Sequence, residues 1–308
     1  MKALGKVILV VGPGGVGKNT VVNHLVRTNE HFQFVPSYTT RPMRPHESEG
    51  DPYHFVTRTD FDRRISSGFF LEWQKVHDNL YGSPKDAITS ALLGGQFVIT
   101  DMEVLGASVL IDRYPADICS VFLAPPSMTE LRRRLQARPA SSPTEITERL
   151  ARCDMETAVS GMCDYLVVND DIQDVLERFE TIRGAELARE ALREYKTTEE
   201  RLPTYHYIQI KCQAAATFHA QSSQGMVVVG STKIGVSESP ESATRRFFRL
   251  QHLRTGSALN VDGIQVSGLS AGRFPVSGLV RSCIKWEHDV VLAGDPSECE
   301  LYSKMCVG

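Results

Sequence analysis

Hydrophobic and polar positions divide the chain into two parts of different character. Up to about residue 200, continuous apolar runs alternate with amphipathic stretches, which is typical of buried parallel strands separated by helices. The predicted strands cover 7–11, 97–100, 118–123 and 165–168. The predicted helices cover 18–27, 60–67, a stretch beginning after Ser83, 127–136 and 171–199. This alternation predicts an α/β domain built on a parallel sheet.

Capping residues sharpen some of these boundaries. Thr59 is the predicted N-cap of the helix at 60–67, and Gly68 is its predicted terminator. Ser83 is predicted to cap the next helix with Pro84 at its first position, and Ser127 is predicted to cap the helix that follows.

Beyond residue 200 the pattern changes to short alternating or apolar runs separated by turns containing Gly and Ser. The predicted strands here cover 207–210, 226–229, 264–266 and 290–292, and a terminal helix is predicted to begin near Asp295. We therefore expect two domains, at 1–200 and 201–308, the second smaller and mainly β. Oligomerisation, regulation and docking of a protein partner are candidate roles for the second domain.

Composition and charge narrow the class of protein. The net charge is −3, divided as −6 over residues 1–200 and +3 over 201–308, which argues against sequence-independent nucleic-acid binding. No apolar run approaches the ~18 residues of a membrane span, and no signal peptide is evident. The seven cysteines form no CxxC pair and indicate reduced thiols. We expect a cytoplasmic protein with neither a nucleic-acid nor a membrane partner.

A glycine-rich loop follows the first strand and has the Walker A spacing, Gly-x-x-x-x-Gly-Lys. Its residues are Gly12, Pro13, Gly14, Gly15, Val16, Gly17 and Lys18. Glycines let backbone N–H groups converge on phosphates at a helix N-terminus, where the Lys18 ammonium would reach the outer phosphates of a bound nucleotide. The next residue, usually a Ser or Thr that binds Mg²⁺, is Asn19. Asn19 or the neighbouring Thr20 is therefore the candidate magnesium ligand, directly or through water.

Six ordered motifs decide which kind of P-loop protein this is. They are Ser-Tyr-Thr-Thr-Arg-Pro-Met-Arg-Pro at 37–45, Asp-Pro-Tyr-His-Phe at 51–55, Phe-Leu-Glu-Trp at 70–73, Tyr-Gly-Ser-Pro at 81–84, Ala-Pro-Pro-Ser at 124–127 and Val-Val-Asn-Asp-Asp at 167–171. In order and spacing they resemble the guanylate kinases over about residues 5–185. The resemblance implies a P-loop parallel sheet flanked by helices, with a GMP-binding segment at about 34–95 and a lid at about 136–150. It also implies Mg²⁺-dependent phosphoryl transfer from ATP to GMP.

Four residues match the positions that bind the GMP phosphate in the family: Arg41, Arg44, Tyr53 and Tyr81. Arginine forks and tyrosine hydroxyls are well suited to a phosphate dianion.

Guanine offers two donors on one edge, N1–H and the amino group, which one carboxylate can accept together. Glu72 stands at the family's guanine-binding glutamate, and Ser37 and Ser83 stand at its guanine-contacting hydroxyls. Asp101 keeps the first of two family aspartates, whereas Glu103 replaces the second with a longer side chain. Reduced guanine affinity or a different acceptor is a possible consequence of Glu103.

Arg138 and Arg149 match the two lid arginines of the family, and Asn169 matches its adenine-side asparagine. Prolines at 139 and 143 predict a stiffer lid. The Arg132–Arg134 run is interpreted as a solvated helix face, with one member a candidate phosphate contact. Because a monophosphate oxygen is already a nucleophile, the expected catalytic set is cationic: Lys18, Arg41, Arg138 and Arg149.

Two alternatives stay open at this point. A non-catalytic guanylate-kinase-like interaction module is favoured by Asn19 and the altered lid but opposed by Lys18, Arg138 and Arg149. A kinase for another, modified nucleoside monophosphate is suggested by Glu103.

Overall fold

The computed structural model describes residues 5–44, 47–76, 78–102, 104–137, 143–193, 204–213, 226–235, 238–255 and 265–293. These residues form three sheets, a five-stranded parallel sheet, a five-stranded mixed sheet and a four-stranded sheet in the C-terminal part.

The parallel sheet carries the P-loop. Its strands are β1 (Val7–Val11), β2 (Phe32–Gln33), β8 (Phe97–Asp101), β9 (Ile118–Ala124) and β10 (Tyr165–Val168). They lie in the order β10-β9-β1-β8-β2, and every neighbouring pair is parallel. The predicted α/β fold and its four strands are confirmed, with β2 added at the edge.

Helices cover both faces of this sheet: α1 (Lys18–Thr28), α3 (Lys85–Leu93), α4 (Val104–Arg113), α5 (Met128–Gln136), α6 (Pro143–Thr157) and α7 (Ile172–Arg193). Successive residues of β1 divide between two cores: Leu9 packs in the core that contains α3 and α4, whereas Ile8 packs in the core that contains α1, α5 and α7. Because both faces are buried, the strand reads as a continuous apolar run.

Two capping predictions are wrong. The second helix, α2 (Arg58–Ser66), begins two residues early because the Thr57 side chain, not that of Thr59, accepts from the Asp60 N–H. The cap of α3 is Pro84, and the Ser83 hydroxyl donates instead to Glu72. The predictions at Ser127 and Gly68 are confirmed, since Ser127 accepts from the Glu130 N–H and Gly68 has a φ of 68°.

The mixed sheet lies between α1 and α3 in the sequence and packs against α2. Its strands are β3 (Ser37–Thr39), β4 (Ser48–Glu49), β5 (Pro52–Phe55), β6 (Phe70–Val76) and β7 (Asn79–Pro84), in the order β4-β5-β3-β7-β6. The hydrophobic pattern did not predict these strands, because three of them (β3, β4 and β5) have only two to four residues and polar residues interrupt the other two.

The C-terminal unit confirms the mainly β prediction and adds a helix. Its elements are β11 (Thr204–Gln213), β12 (Met226–Lys233), α8 (Pro240–Thr255), β13 (Gln265–Ser277) and β14 (Ser282–Ala293). The strand order is β12-β11-β14-β13, with only the central β11–β14 pair parallel. The predicted terminal helix near Asp295 and the boundary at residue 200 lie outside the described residues.

Polar contacts join the C-terminal unit to the carboxyl end of α4. Tyr207 Oη donates to the Asp112 carbonyl at 3.3 Å, and Asp112 Oδ1 accepts from the Lys233 N–H at 2.8 Å. Lys233 Nζ forms an ion pair with Asp164 at 2.9 Å, and Leu250 of α8 enters the core formed by α3 and α4. No helix in the described parts of the chain is long and apolar enough to cross a membrane.

Candidate active site

The glycine-rich loop joins β1 to α1, and its backbone conformation depends on glycine. Gly15 and Gly17 have φ values of 92° and 105°, in the left-handed region. At Gly17 a Cβ would also lie 2.7 Å from Nδ2 of Asn169, so the position is closed to any side chain. Left-handed glycines of this kind let the backbone of a phosphate-binding loop turn its N–H groups toward one point.

Lys18 is buried inside the curve of the loop, where Nζ donates to the Gly12 carbonyl at 2.7 Å. Asn169, at the end of β10, donates from Nδ2 to the Val16 carbonyl at 2.8 Å. Arg134 donates to the same carbonyl at 3.2 Å, so this half-buried member of the arginine run supports the loop. Arg132 and Arg133 are exposed, as expected of a solvated face.

Helix α6 approaches the opposite side of the loop. Arg149 Nη1 is 3.7 Å from the position of a Cβ on Gly14, and Glu156 Oε2 accepts from the Gly14 N–H at 3.1 Å. The sequence analysis missed Glu156, although its spacing of seven from Arg149 places both on one helix face. Arg138 and residues 139–142 of the lid lie outside the described residues. Asn19 and Thr20 are exposed at the start of α1.

A cleft of about 140 Å³ opens over one face of the mixed sheet. Its lining residues are Ser37, Tyr53, Glu72, Gln74, Tyr81, Gly82, Ser83, Asp101 and Met102. The structure thus brings together six of the nine residues predicted to bind GMP. It adds Gln74, Gly82 and Met102, which the sequence analysis missed.

Strand register arranges the side chains on the cleft-facing side of the sheet in two rows across β5, β3, β7 and β6. The first row is Tyr53, Ser37, Ser83 and Glu72, and the second is Phe55, Thr39, Tyr81 and Gln74. Residues two apart on a strand share a face, so both rows face the same side of the sheet.

One end of the cleft presents a half-buried acceptor, Glu72, supported by hydroxyls. Ser83 Oγ donates to Glu72 Oε1 at 3.0 Å, and Ser37 Oγ lies 3.4 Å from Ser83 Oγ. Burial raises the pKa of Glu72 to about 7, and the hydrogen bond from Ser83 opposes that shift only in part. A ligand that offers two N–H donors would stabilise the ionised carboxylate.

Tyr53 and Tyr81 line the other end of the cleft, and Arg41 lies next to Tyr53 without itself lining the cleft. The Arg41 guanidinium lies 5.6 Å from the Tyr53 ring centroid, and the Tyr53 and Tyr81 rings are 5.6 Å apart. Burial, followed by the charge of Asp101, raises the pKa of Tyr53, so its hydroxyl remains a donor. Arg44 is exposed and does not line the cleft.

Glu47 holds Arg41 in place and was not found by sequence reasoning. Its two carboxylate oxygens accept from Arg41 Nη2 at 2.8 Å and Nη1 at 3.0 Å, and Oε2 also accepts from the Arg44 N–H at 2.8 Å. Burial alone would lower the pKa of Arg41 and raise that of Glu47. Their mutual attraction, with Tyr81 acting on Arg41 and Arg44 acting on Glu47, outweighs burial, so the pKa of Arg41 is raised, the pKa of Glu47 is lowered, and both groups stay charged.

Asp101 connects the cleft to the phosphate loop. It ends β8 directly beside Val10 of β1, the strand that leads into the loop, and it lines the cleft. Glu103 lies outside the described residues. A P-loop whose neighbouring strand ends at an acceptor cleft is the arrangement of the P-loop nucleoside monophosphate kinases.

Comparisons with known proteins identify the family within this class. The guanylate kinase family model matches residues 4–186. A guanylate kinase of Symbiobacterium thermophilum is 40% identical over 188 residues, which cover 61% of this chain and 89% of that relative. One of Thermotoga maritima is 33% identical over 185 residues, covering 60% and 89%. The crystal structure of guanylate kinase from Anaplasma phagocytophilum superimposes with a TM-score of 0.51 at 31% identity, covering 60% of this chain and 88% of that one. The chain belongs to the guanylate kinase family, and the C-terminal unit lies beyond the matched segment.

Proposed function

We propose that this protein transfers the terminal phosphoryl group of ATP to the 5′-phosphate of GMP, giving ADP and GDP. The observation that carries the proposal is a cleft with the half-buried Glu72 carboxylate at one end and Tyr53 and Tyr81, with Arg41 beside them, at the other. Glu72 accepts from guanine N1–H and the amino group, while Arg41, Tyr53 and Tyr81 bind the phosphate. Arg44, exposed near the cleft, would add its charge to the phosphate.

In this proposal, cationic side chains catalyse phosphoryl transfer by positioning the phosphates and stabilising their negative charge. Lys18, held inside the loop, stabilises charge on the phosphates of ATP, and Arg149 beside Gly14 stabilises charge from the lid side. Arg41 orients the attacking phosphate of GMP, and Arg138 is assigned to the lid from its position in the sequence. The attacking oxygen is already anionic, so no general base is required.

The side chains at the start of α1 fit a magnesium ion that accompanies ATP. The amide oxygen of Asn19 and the hydroxyl of Thr20 are hard oxygen donors, and both are exposed beside the loop. Mg²⁺ commonly takes only one or two protein oxygens, keeping water and phosphate oxygens as its other ligands. Asn19 and Thr20 would hold the ion, which would neutralise part of the phosphate charge of ATP.

We place this reaction in cytoplasmic purine nucleotide metabolism, with ATP and GMP as the binding partners. The C-terminal unit, anchored on α4 through Tyr207 and Lys233, is proposed as the surface for a protein partner or for self-association.

A coupled assay of ADP release with GMP, AMP, CMP, UMP and IMP as acceptors tests the function. We expect turnover with GMP to exceed that with AMP by at least about 100-fold, because adenine leaves the Glu72 carboxylate unpaired. No turnover with any acceptor would contradict the kinase assignment. Preference for another base would contradict the guanine assignment alone.

A further inference from the structure

One polar side chain in the acceptor cleft has no part in the proposed recognition of guanine or phosphate. Gln74 lines the cleft from β6 and is half-buried. Its side-chain amide, with two N–H donors and one acceptor, makes no hydrogen bond to any residue that the structure describes. A half-buried amide that faces a binding cleft without a protein partner is well placed to bond a ligand.

The position of Gln74 lies between the two ends of the cleft. Along β6 it is two residues from Glu72 and shares its face, and across the strand pair it stands opposite Tyr81. It is therefore adjacent both to the residue assigned to the base and to a residue assigned to the phosphate. In a 5′-nucleotide the ribose lies between these two groups.

The order of polar groups on guanosine selects one ribose hydroxyl. In the proposed complex, Glu72 accepts hydrogen bonds from guanine N1–H and from the amino group. The amino group also lies on the sugar edge of the base, and that edge runs through N3 to the ribose 2′-hydroxyl. A side chain one step from Glu72 on the same face meets that edge. We propose that Gln74 binds the ribose 2′-hydroxyl and makes the enzyme prefer ribonucleotide acceptors over 2′-deoxyribonucleotides. This inference rests on the proposed GMP kinase function.

A glycine in α4 fixes the amide at this place. A Cβ at Gly106 would lie 2.6 Å from Gln74 Nε2 and 3.0 Å from its Cδ, so the amide fits closely against the bare backbone. The same Cβ would lie 2.9 Å from Met102 Sδ, which lines the cleft beside it. Confinement between α4 and the cleft limits the rotamers of Gln74, so little conformational entropy remains to be lost on binding.

The test compares GMP with 2′-deoxy-GMP on the full chain. Gln74→Met keeps the length and packing of the side chain but cannot hydrogen-bond as an amide. Lys75→Ala is the matched control, because Lys75 is exposed and faces the other side of β6. Calorimetry without ATP gives both dissociation constants, so the ribose contact is measured whether or not turnover occurs.

We expect Gln74→Met to weaken GMP binding about two- to tenfold, the range of one neutral hydrogen bond, and to change 2′-deoxy-GMP binding less than twofold. The control changes neither. An equal loss for both nucleotides, or a wild type without ribose preference, overturns the role of Gln74. If GMP binds with ribose preference but is not turned over with ATP, the proposed kinase function fails while the ribose contact stands.

Discussion

The protonation of Glu72 makes a sharp prediction about the pH dependence of GMP binding. Guanine donates two hydrogen bonds to the ionised carboxylate, whereas the burial of Glu72 raises its pKa to about 7. The empty site is therefore largely protonated below that pH and must release a proton when GMP binds. Affinity for GMP should rise as the pH increases through 7 and level off above it.

The size of the effect follows from the ionised fraction. For a pKa of about 7, Glu72 is ~9% ionised at pH 6 and ~91% at pH 8, a tenfold gain in binding-competent sites. The phosphate of GMP, with a second pKa near ~6, adds about a twofold gain over the same interval. We therefore expect the dissociation constant to fall about 20-fold between pH 6 and pH 8.

Calorimetric titration with GMP at constant ionic strength measures this change, and Glu72→Gln is the matched variant. Gln keeps the size of the side chain but cannot ionise, so only the twofold contribution of the phosphate should remain. Buffers of different ionisation enthalpy should show release of about 1.4 protons per GMP at pH 6 for the wild type, about 0.9 from Glu72 and about 0.5 from the phosphate, and only about 0.5 for Glu72→Gln. A wild type whose pH dependence does not exceed that of Glu72→Gln would refute the reasoning.

Three further perturbations test other parts of the site. Lys18→Ala should lower kcat at least about 100-fold while leaving the calorimetric affinity for GMP nearly unchanged, because Lys18 lies inside the glycine-rich loop and is proposed to bind ATP rather than GMP; loss of both would indicate a folding role. Gly17→Ala should lower the free energy of unfolding by about 1–3 kcal/mol in urea melts, since it combines a φ of 105° with a Cβ 2.7 Å from Asn169; an unchanged midpoint would contradict the tight packing. Glu47→Ala should raise KM for GMP about tenfold and leave KM for ATP unchanged, because it frees the Arg41 fork; equal changes in both constants would argue against a local role.

The sequence was most informative where function depends on local spacing. The loop from Gly12 to Lys18 needs only its glycines, its lysine and the flanking strand and helix, all of which are contiguous. Glu72, Ser37 and Ser83 were predicted from motif spacing, and the structure brings them within hydrogen-bonding reach of one another.

Contacts that depend on how strands and helices pair in the folded chain could not be predicted from the sequence. Gln74 joins the cleft only because β6 pairs with β7, and the short strands of the mixed sheet leave a weak hydrophobic pattern. Glu156 reaches Gly14 across 142 positions of sequence, a separation that no local signal bridges.

Competing local signals account for the errors in the helices. Thr57 and Thr59 are equally suitable caps by type, and only the hydrogen bond to the Asp60 N–H decides between them. Helix α8 was not predicted because an arginine interrupts its apolar face. The Arg246 side chain is nevertheless buried there in an ion pair with Glu238 at 2.8 Å.

Transfer of label between nucleotides tests the central claim most directly. ATP labelled at its terminal phosphate is incubated with the full chain, Mg²⁺ and an equimolar mixture of GMP, AMP, CMP and UMP, and the products are separated. The account predicts label in GDP, with no other labelled diphosphate above background. Label confined to inorganic phosphate, or found mainly in another nucleoside diphosphate, would contradict it.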